Sequence, residues 1–161
     1  MNNRYAAIQK NDYINGEGVC VSFWVQGCPH RCEGCHNPSQ WDFEGGQELP
    51  VDYKGQIIKA ICANDIVRNF SVLGGEPLCP ENIHLVCHVI NAVRAAYPNI
   101  KIFVWTGYYL ENIIDNPVVK NDILPKIDVL IDGPFIREQR DITLKLRGSS
   151  NQRILKKGID F

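Results

Sequence analysis

Three closely spaced cysteines are the clearest chemical feature of this 161-residue chain. Cys28, Cys32 and Cys35 lie in the segment GCPHRCEGCHN, a C-x3-C-x2-C pattern that places three thiols on one loop. Structural zinc sites and ordinary iron–sulfur clusters take four protein ligands. Three thiolates therefore indicate a metal centre with one position left for a group that is not protein. Because soft thiolates select iron–sulfur clusters, a 4Fe–4S cluster held at three irons is favoured.

Two other interpretations of the cysteine loop stay open. A Cys3His zinc site would need a histidine, but His30 and His36 adjoin the cysteines too closely in the chain to complete a tetrahedron easily. His84 or His88 would have to reach the loop from elsewhere in the fold to complete such a site. A redox dithiol would use the C-x-x-C pair Cys32 and Cys35, which leaves Cys28 unexplained.

The elements that position this loop are predicted from apolar periodicity. Alternating or continuous β-forming runs predict four strands, at 19–26, 70–73, 101–105 and 128–131, and a strand-like stretch at 153–155. Helical spacing predicts helices at 53–62 and 81–96, and a weaker one at 109–124 that Pro117 interrupts. The alternation predicts an α/β fold with right-handed crossovers. A full (β/α)8 barrel needs about 250 residues, so we expect one domain, 1–161, forming an incomplete, open barrel of about five or six mostly parallel strands.

Every unusual motif directly follows a predicted strand. The cysteine loop follows the first strand, and GGEP (74–77), TGY (106–108) and DGP (132–134) follow the next three. In folds with parallel strands, reactive groups cluster beyond the carboxyl ends of those strands. We therefore expect the four motifs to meet on one face.

Composition places the chain among ordinary globular proteins. It is 45% hydrophobic with a formal net charge of −1, which gives no support for a nucleic-acid-binding or acidic-membrane surface. We expect a cytoplasmic protein, because no membrane span or signal-peptide core is evident. Cys20, Cys62 and Cys87 are expected to be small buried residues. Cys79, just after GGEP, is expected to be structural as well, although a functional role stays open.

The cysteine pattern after a first strand resembles the radical S-adenosylmethionine superfamily. This resemblance implies that the open iron binds the amino and carboxylate groups of S-adenosylmethionine, which is then cleaved to a 5′-deoxyadenosyl radical that abstracts hydrogen. It also implies that Gly74 and Gly75 let backbone approach the methionine moiety and that Glu76 receives its ammonium group. Many members have an aromatic residue just before the third cysteine, near the adenine, and here that position is Gly34.

Gly34 and three further residues complete the expected cofactor-binding set. The Thr106 hydroxyl would reach the methionine or ribose part of the cofactor, or Thr106 only begins a turn. Asp132 would bind the ribose, a cation or the substrate backbone, or it only caps a turn before Pro134. Asn37 is expected to hold the cluster loop by hydrogen bonds from its side chain to backbone.

Within the superfamily, the chain resembles the activating proteins of anaerobic ribonucleoside-triphosphate reductases. The resemblance covers about 12–155 and is most specific at Gly34 and in the segment RGSSNQR from Arg147 to Arg153. On composition alone, that segment is either a loop that binds an anion or peptide backbone or a solvated hairpin turn. The resemblance implies that the protein forms a glycyl radical on the partner reductase, with reduced flavodoxin or a similar protein as electron donor.

Two alternative functions are kept. An activase of another glycyl-radical enzyme, such as pyruvate formate-lyase, is disfavoured by the short chain and by Gly34. A zinc-binding interaction module belongs to a different class. Because little chain remains beyond the cofactor-binding units, a loop of another protein suits the site better as substrate than an enclosed small molecule.

Overall fold

A seven-stranded mixed sheet runs through the molecule in the computed structural model, which describes residues 1–161. The strands are β1 (Arg4–Asp12), β2 (Cys20–Val25), β3 (Gln47–Glu48), β4 (Asn69–Gly74), β5 (Ile102–Trp105), β6 (Val129–Asp132) and β7 (Arg153–Lys156). Their order across the sheet is β3-β1-β2-β4-β5-β6-β7. The sheet has two free edges and is therefore not closed into a barrel.

The four central strands β2, β4, β5 and β6 are parallel, and they confirm the four strands predicted from the sequence. In the register of the sheet, Val21 pairs with Phe70, and Val72 pairs with Val104. These residues are fully buried, as expected for parallel strands that are covered on both faces. The carboxyl ends of the four strands consequently lie side by side.

The sheet has seven strands rather than the predicted five or six, because additional antiparallel strands lie toward its edges. β1 is antiparallel to β2 and to the two-residue β3, while β7 is antiparallel to β6. The β1 sequence RYAAIQKND lacks regular alternation because its residues are only half-buried or exposed along most of its length. Because β3 pairs only with Arg4 and Tyr5, the rest of β1 has no neighbour on its outer side, which explains why periodicity did not reveal the strand.

Helices cover the sheet where the sequence predicted them. They are α1 (Tyr53–Ile61), α2 (Ile83–Ala96) and the short α3 (Leu110–Ile113). Buried positions on α1 and α2 belong to the main hydrophobic core together with the central strands. The weak helical region after residue 109 divides into α3 and a π-helical turn, Val119–Ile123, with Pro117 between them. No helix is long and apolar enough to cross a membrane.

The cysteines outside the loop differ in burial. Cys20 and Cys87 are buried, as expected. Cys62 is exposed, which corrects the expectation that it is a buried hydrophobe. It follows the last residue of α1, and the buried stripe of that helix, which includes Ile57 and Ile61, does not extend to it.

Candidate functional site

A cavity of about 460 Å³ lies at the carboxyl ends of the central strands. Its lining includes residues of all four motifs that follow those strands. Cys28, Cys32 and Cys35 line it together with Glu76 and Thr106. The expectation that separate strand-end motifs meet on one face is thus met by the geometry.

The cysteine loop is anchored to the segment that follows it. The backbone N–H of Gly27 donates to Gln40 O at 2.9 Å, and that of Cys28 donates to Trp41 O at 3.1 Å. The N–H of Asn37 donates to Cys35 Sγ at 3.4 Å. All three thiols are free and half-buried. Burial raises the pKa of the Cys28 thiol and of the Cys32 thiol.

The histidines of the chain do not combine with the cysteines into a compact metal site. His30 hydrogen-bonds to Glu76, and the ring of His36 lies 5.6 Å from that of Phe135. His84 and His88 are exposed on α2 and do not line the cavity. No group of three or more Cys, His, Asp or Glu side chains is arranged around a single ion position. A 4Fe–4S cluster does not require the thiolates to surround a single ion position, because each thiolate binds its own iron.

Glu76 is the only carboxylate that lines the cavity, and it is 1% exposed. Its Oε1 accepts hydrogen bonds from Leu78 N–H at 2.9 Å and from the Thr106 hydroxyl at 2.7 Å. Its Oε2 accepts from Gly107 N–H at 2.6 Å and from His30 Nε2 at 2.8 Å. Thr106, which follows β5, therefore fixes the position of the Glu76 carboxylate in this structure.

The backbone around Glu76 is held by a residue that sequence reasoning missed. Asn82 is fully buried, and its Nδ2 donates to three carbonyl oxygens, those of Gln26, Gly27 and Glu76, at 3.1, 3.2 and 2.9 Å. It thereby joins the end of β2 to the turn that follows β4. A lone asparagine before an apolar helix resembles an ordinary helix cap, so this role could not be predicted from the sequence.

Gly74 and Gly75 line the cavity, and their small size is required by neighbouring backbone. A Cβ on Gly74 would lie 2.7 Å from Val25 O, and Gly74 has a φ of +111°. A Cβ on Gly75 would lie 2.3 Å from Gly27 O. The close approach of two strand ends is thus one reason for the glycine pair.

The structure places Asp132 outside the cavity lining. It is fully buried, and its carboxylate accepts from Arg153 Nε at 2.9 Å, from Arg153 Nη2 at 2.5 Å and from Leu110 N–H at 2.8 Å. Arg153 also pairs with Glu111, and this hydrogen bonding lowers the pKa of Glu111 to about 2. These contacts join β6, β7 and α3, so Asp132 has a structural role here, although its partners are Arg153 and Leu110 rather than the turn before Pro134.

Gly34 and Asn37 have different surroundings. Asn37 lines the cavity, but its side chain makes no hydrogen bond to backbone, which corrects the expected role. Its backbone supports the loop instead, through its N–H to Cys35 Sγ and its carbonyl oxygen, which accepts from Gln40 N–H at 3.0 Å. Gly34 has a φ of +76°, and a Cβ there would lie 3.4 Å from the ring of Phe135. Phe135, from the segment after β6, lines the cavity. Sequence reasoning did not single out Phe135.

The RGSSNQR segment closes one side of the cavity, which Arg147, Gly148 and Gln152 line. The Gln152 amide accepts from Gly148 N–H at 2.8 Å and donates to Gly133 O at 3.0 Å. Asn151 Nδ2 donates to Pro134 O at 2.8 Å. The polar side chains therefore hold the segment against the turn after β6. Arg147 is the one arginine or lysine that lines the cavity.

The donor set fits an iron–sulfur group with an amino-acid ligand. Three free thiols, one buried carboxylate and one guanidinium share the wall of a single cavity. Trp41 Nε1 and Arg147 Nε are buried without a partner, and both residues line that cavity. Cys79 does not belong to this set, because it is buried outside the lining and burial raises its pKa to about 12.

Comparison with known proteins gives a matching family for most of the chain. The model of the 4Fe-4S single cluster domain matches residues 14–155. That range contains the cysteine loop, all the strand-end motifs and the RGSSNQR segment.

Several curated relatives share one name, anaerobic ribonucleoside-triphosphate reductase-activating protein. The relative from Haemophilus influenzae is 39% identical over 149 residues, which are 92% of this chain and 94% of the relative. The relative from Vibrio cholerae is 38% identical over 142 residues, which are 88% of this chain and 90% of the relative. The relative from Escherichia coli strain K12 is 37% identical with the same coverage.

Proposed function

The chain belongs to the family of anaerobic ribonucleoside-triphosphate reductase-activating proteins and contains a 4Fe-4S single cluster domain, and we propose that it forms a glycyl radical on a partner reductase of that class. The observation that carries the proposal is the shared cavity, in which Cys28, Cys32 and Cys35 lie beside Glu76. In this proposal the three thiolates hold a 4Fe–4S cluster, and its remaining iron takes S-adenosylmethionine. The open sheet then serves as an incomplete barrel of the radical S-adenosylmethionine type.

When bound, the cluster and S-adenosylmethionine would supply reductive cleavage of the cofactor to methionine and removal of the α-hydrogen of a glycine, giving 5′-deoxyadenosine and a glycyl radical. Reduced flavodoxin or a similar donor would provide the one electron that this chemistry needs. The chain itself supplies binding and orientation. Glu76 offers a buried negative charge to the cofactor ammonium. Arg147 lines the same cavity with a positive charge. Free thiols and such a cluster need a reducing compartment, so a cytoplasmic location is part of the proposal.

The substrate of this proposal is a protein loop. The cavity lies at the carboxyl ends of the central strands and opens to solvent there. Exposed Ile14 also belongs to its lining, so apolar surface continues from the cavity to the outside. This arrangement suits a glycine-bearing loop that enters from another protein.

The test is an anaerobic mixture of the cluster-loaded protein, S-adenosylmethionine, reduced flavodoxin and the partner reductase. The proposal expects a glycyl radical signal in electron paramagnetic resonance that needs every component. A matched mixture with pyruvate formate-lyase as the acceptor examines the alternative activase function. If the cluster is intact and the reductase gives no signal, the proposed function is wrong. A colourless protein that binds zinc in place of iron would support the interaction-module alternative.

A further inference from the structure

The carboxylate of Glu76 has no hydrogen-bonding position left for a ligand. Two carboxylate oxygens offer about four acceptor sites. In this structure, four protein donors fill them, at distances of 2.6 to 2.9 Å. Glu76 is 1% exposed, so a fifth donor has no open face to approach. A ligand ammonium can therefore reach this carboxylate only by replacing one of the four.

Three of the four donors are fixed by the fold. Leu78 N–H lies in the same turn as Glu76, and Gly107 N–H follows β5 directly. The Thr106 hydroxyl is on a residue that is 4% exposed at the end of the same strand. Moving either N–H would require the backbone at the ends of β4 or β5 to shift, and burial restricts rotation of the Thr106 side chain.

The fourth donor, His30, is held less firmly. Its side chain is 19% exposed and comes from the cysteine loop, which contains no helix or strand between Cys28 and Cys35. The ring packs edge-on against Tyr108, with 4.4 Å between the ring centroids. It fits beside Gly107 because that residue has no side chain: a Cβ there would lie 2.6 Å from the His30 ring.

We infer that His30 is a positioning residue that occupies the ammonium site of Glu76 and leaves it when the cofactor binds. This inference rests on the proposed function, in which Glu76 receives the ammonium of S-adenosylmethionine. Because a carboxylate only accepts hydrogen bonds, His30 presents its Nε2–H and satisfies the buried oxygen until the ligand replaces it. Because His30 lies between Cys28 and Cys32, the displaced side chain belongs to the cysteine loop itself.

The first test compares two ligands on cluster-loaded protein by anaerobic titration calorimetry. S-adenosylhomocysteine carries the amino-acid group, whereas 5′-methylthioadenosine lacks it. His30→Ala removes the competing donor, so we expect it to bind S-adenosylhomocysteine about fivefold more tightly than the unmodified chain. Its affinity for 5′-methylthioadenosine should be unchanged. His30→Gln, which retains a donor, should stay closer to the unmodified chain. His84→Ala is the matched control, because His84 is exposed on α2 away from the cavity.

The outcomes separate this inference from the proposed function. Weaker binding of S-adenosylhomocysteine by His30→Ala, or an equal change for both ligands, would overturn the role of His30 alone. If the unmodified cluster-loaded chain binds neither ligand, both the inference and the proposed function fail.

The second test needs no substitution and covers the case in which His30→Ala loses its cluster. In a crystal structure of the unmodified chain with its cluster and S-adenosylhomocysteine, the inference expects the hydrogen bond from His30 Nε2 to Glu76 to be broken. An unbroken bond, with the ligand bound, would overturn it.

Discussion

Gly75 lies against Gly27 so closely that a Cβ on Gly75 would be 2.3 Å from the Gly27 carbonyl oxygen. That oxygen also accepts the N–H of Glu76 at 2.9 Å. Gly75→Ala must therefore push the end of β4 away from the end of β2. We expect the free energy of unfolding to fall by about 1–3 kcal/mol, as for other overpacked sites, and binding of S-adenosylhomocysteine to weaken. Chemical denaturation and calorimetry measure the two effects.

Gly55→Ala is the matched control for this prediction. Gly55 lies in α1, and a Cβ there would have no atom within 4 Å. Replacing a helical glycine by alanine is expected to raise stability by about 0.5–1 kcal/mol. If both alanine variants were equally stable, the crowding between Gly75 and Gly27 would not be energetically important.

The cysteine assignments are tested by single replacements with alanine. Removing Cys28, Cys32 or Cys35 leaves two thiolates on the cavity, so we expect most of the bound iron and the visible absorbance of the cluster to disappear after anaerobic reconstitution. Cys62→Ala and Cys87→Ala should keep both signals. Because Cys62 is exposed and Cys87 is buried, the pair controls for surface and core effects separately. Loss of iron in Cys62→Ala would contradict the ligand assignment.

The surroundings of Glu76 give a prediction about stability as well as binding. In Glu76→Gln, the amide NH2 must face two of the four donors that now contact the carboxylate, because an amide nitrogen cannot accept a hydrogen bond. Leaving buried donors without an acceptor should lower the free energy of unfolding by about 1–3 kcal/mol, measured by chemical denaturation. Binding of S-adenosylhomocysteine should weaken. Glu81→Gln, at an exposed position, should change neither quantity.

The sequence was sufficient for the central strands and for the residues that meet at their ends. Continuous apolar runs identify the strands, and once they are parallel, the motifs after them must share one edge. The hydrogen bonds that side chains make at that edge of the sheet could not be predicted from apolar periodicity. Asn82 and His30 reach Glu76 or its backbone from segments that are 6 and 46 positions away. No periodicity encodes such pairings, since they depend on how the loops pack.

Asp132 was expected to belong to the site, and its actual contacts could not be predicted from the sequence either. A charged residue at the end of an apolar strand suggested a site, yet Arg153 and Leu110 N–H use both of its oxygens. Arg153 is the last residue of the polar RGSSNQR segment. Pairing between β6 and β7 brings the two residues opposite each other, and this antiparallel edge could not be specified from the sequence pattern.

The ion pair of Arg153 with Glu111 predicts a pH dependence of stability. Hydrogen bonds from Arg153 lower the pKa of Glu111 to about 2, from an ordinary value of 4.5. A lowered folded-state pKa means that the pair stabilises the fold above pH 4.5 and that this contribution is lost as the pH falls from 4.5 toward 2. Because Glu111 is exposed, we expect only a small effect.

Urea denaturation of the unmodified chain and of Glu111→Gln measures this dependence. At neutral pH the unmodified chain should unfold at the higher urea concentration, and the two midpoints should converge as the pH is lowered through this range. Glu44→Gln removes an exposed carboxylate that forms no ion pair, so its midpoint should stay close to that of the unmodified chain at neutral pH. A constant difference between the unmodified chain and Glu111→Gln down to about pH 2 would show that ionisation of Glu111 does not stabilise the contact with Arg153.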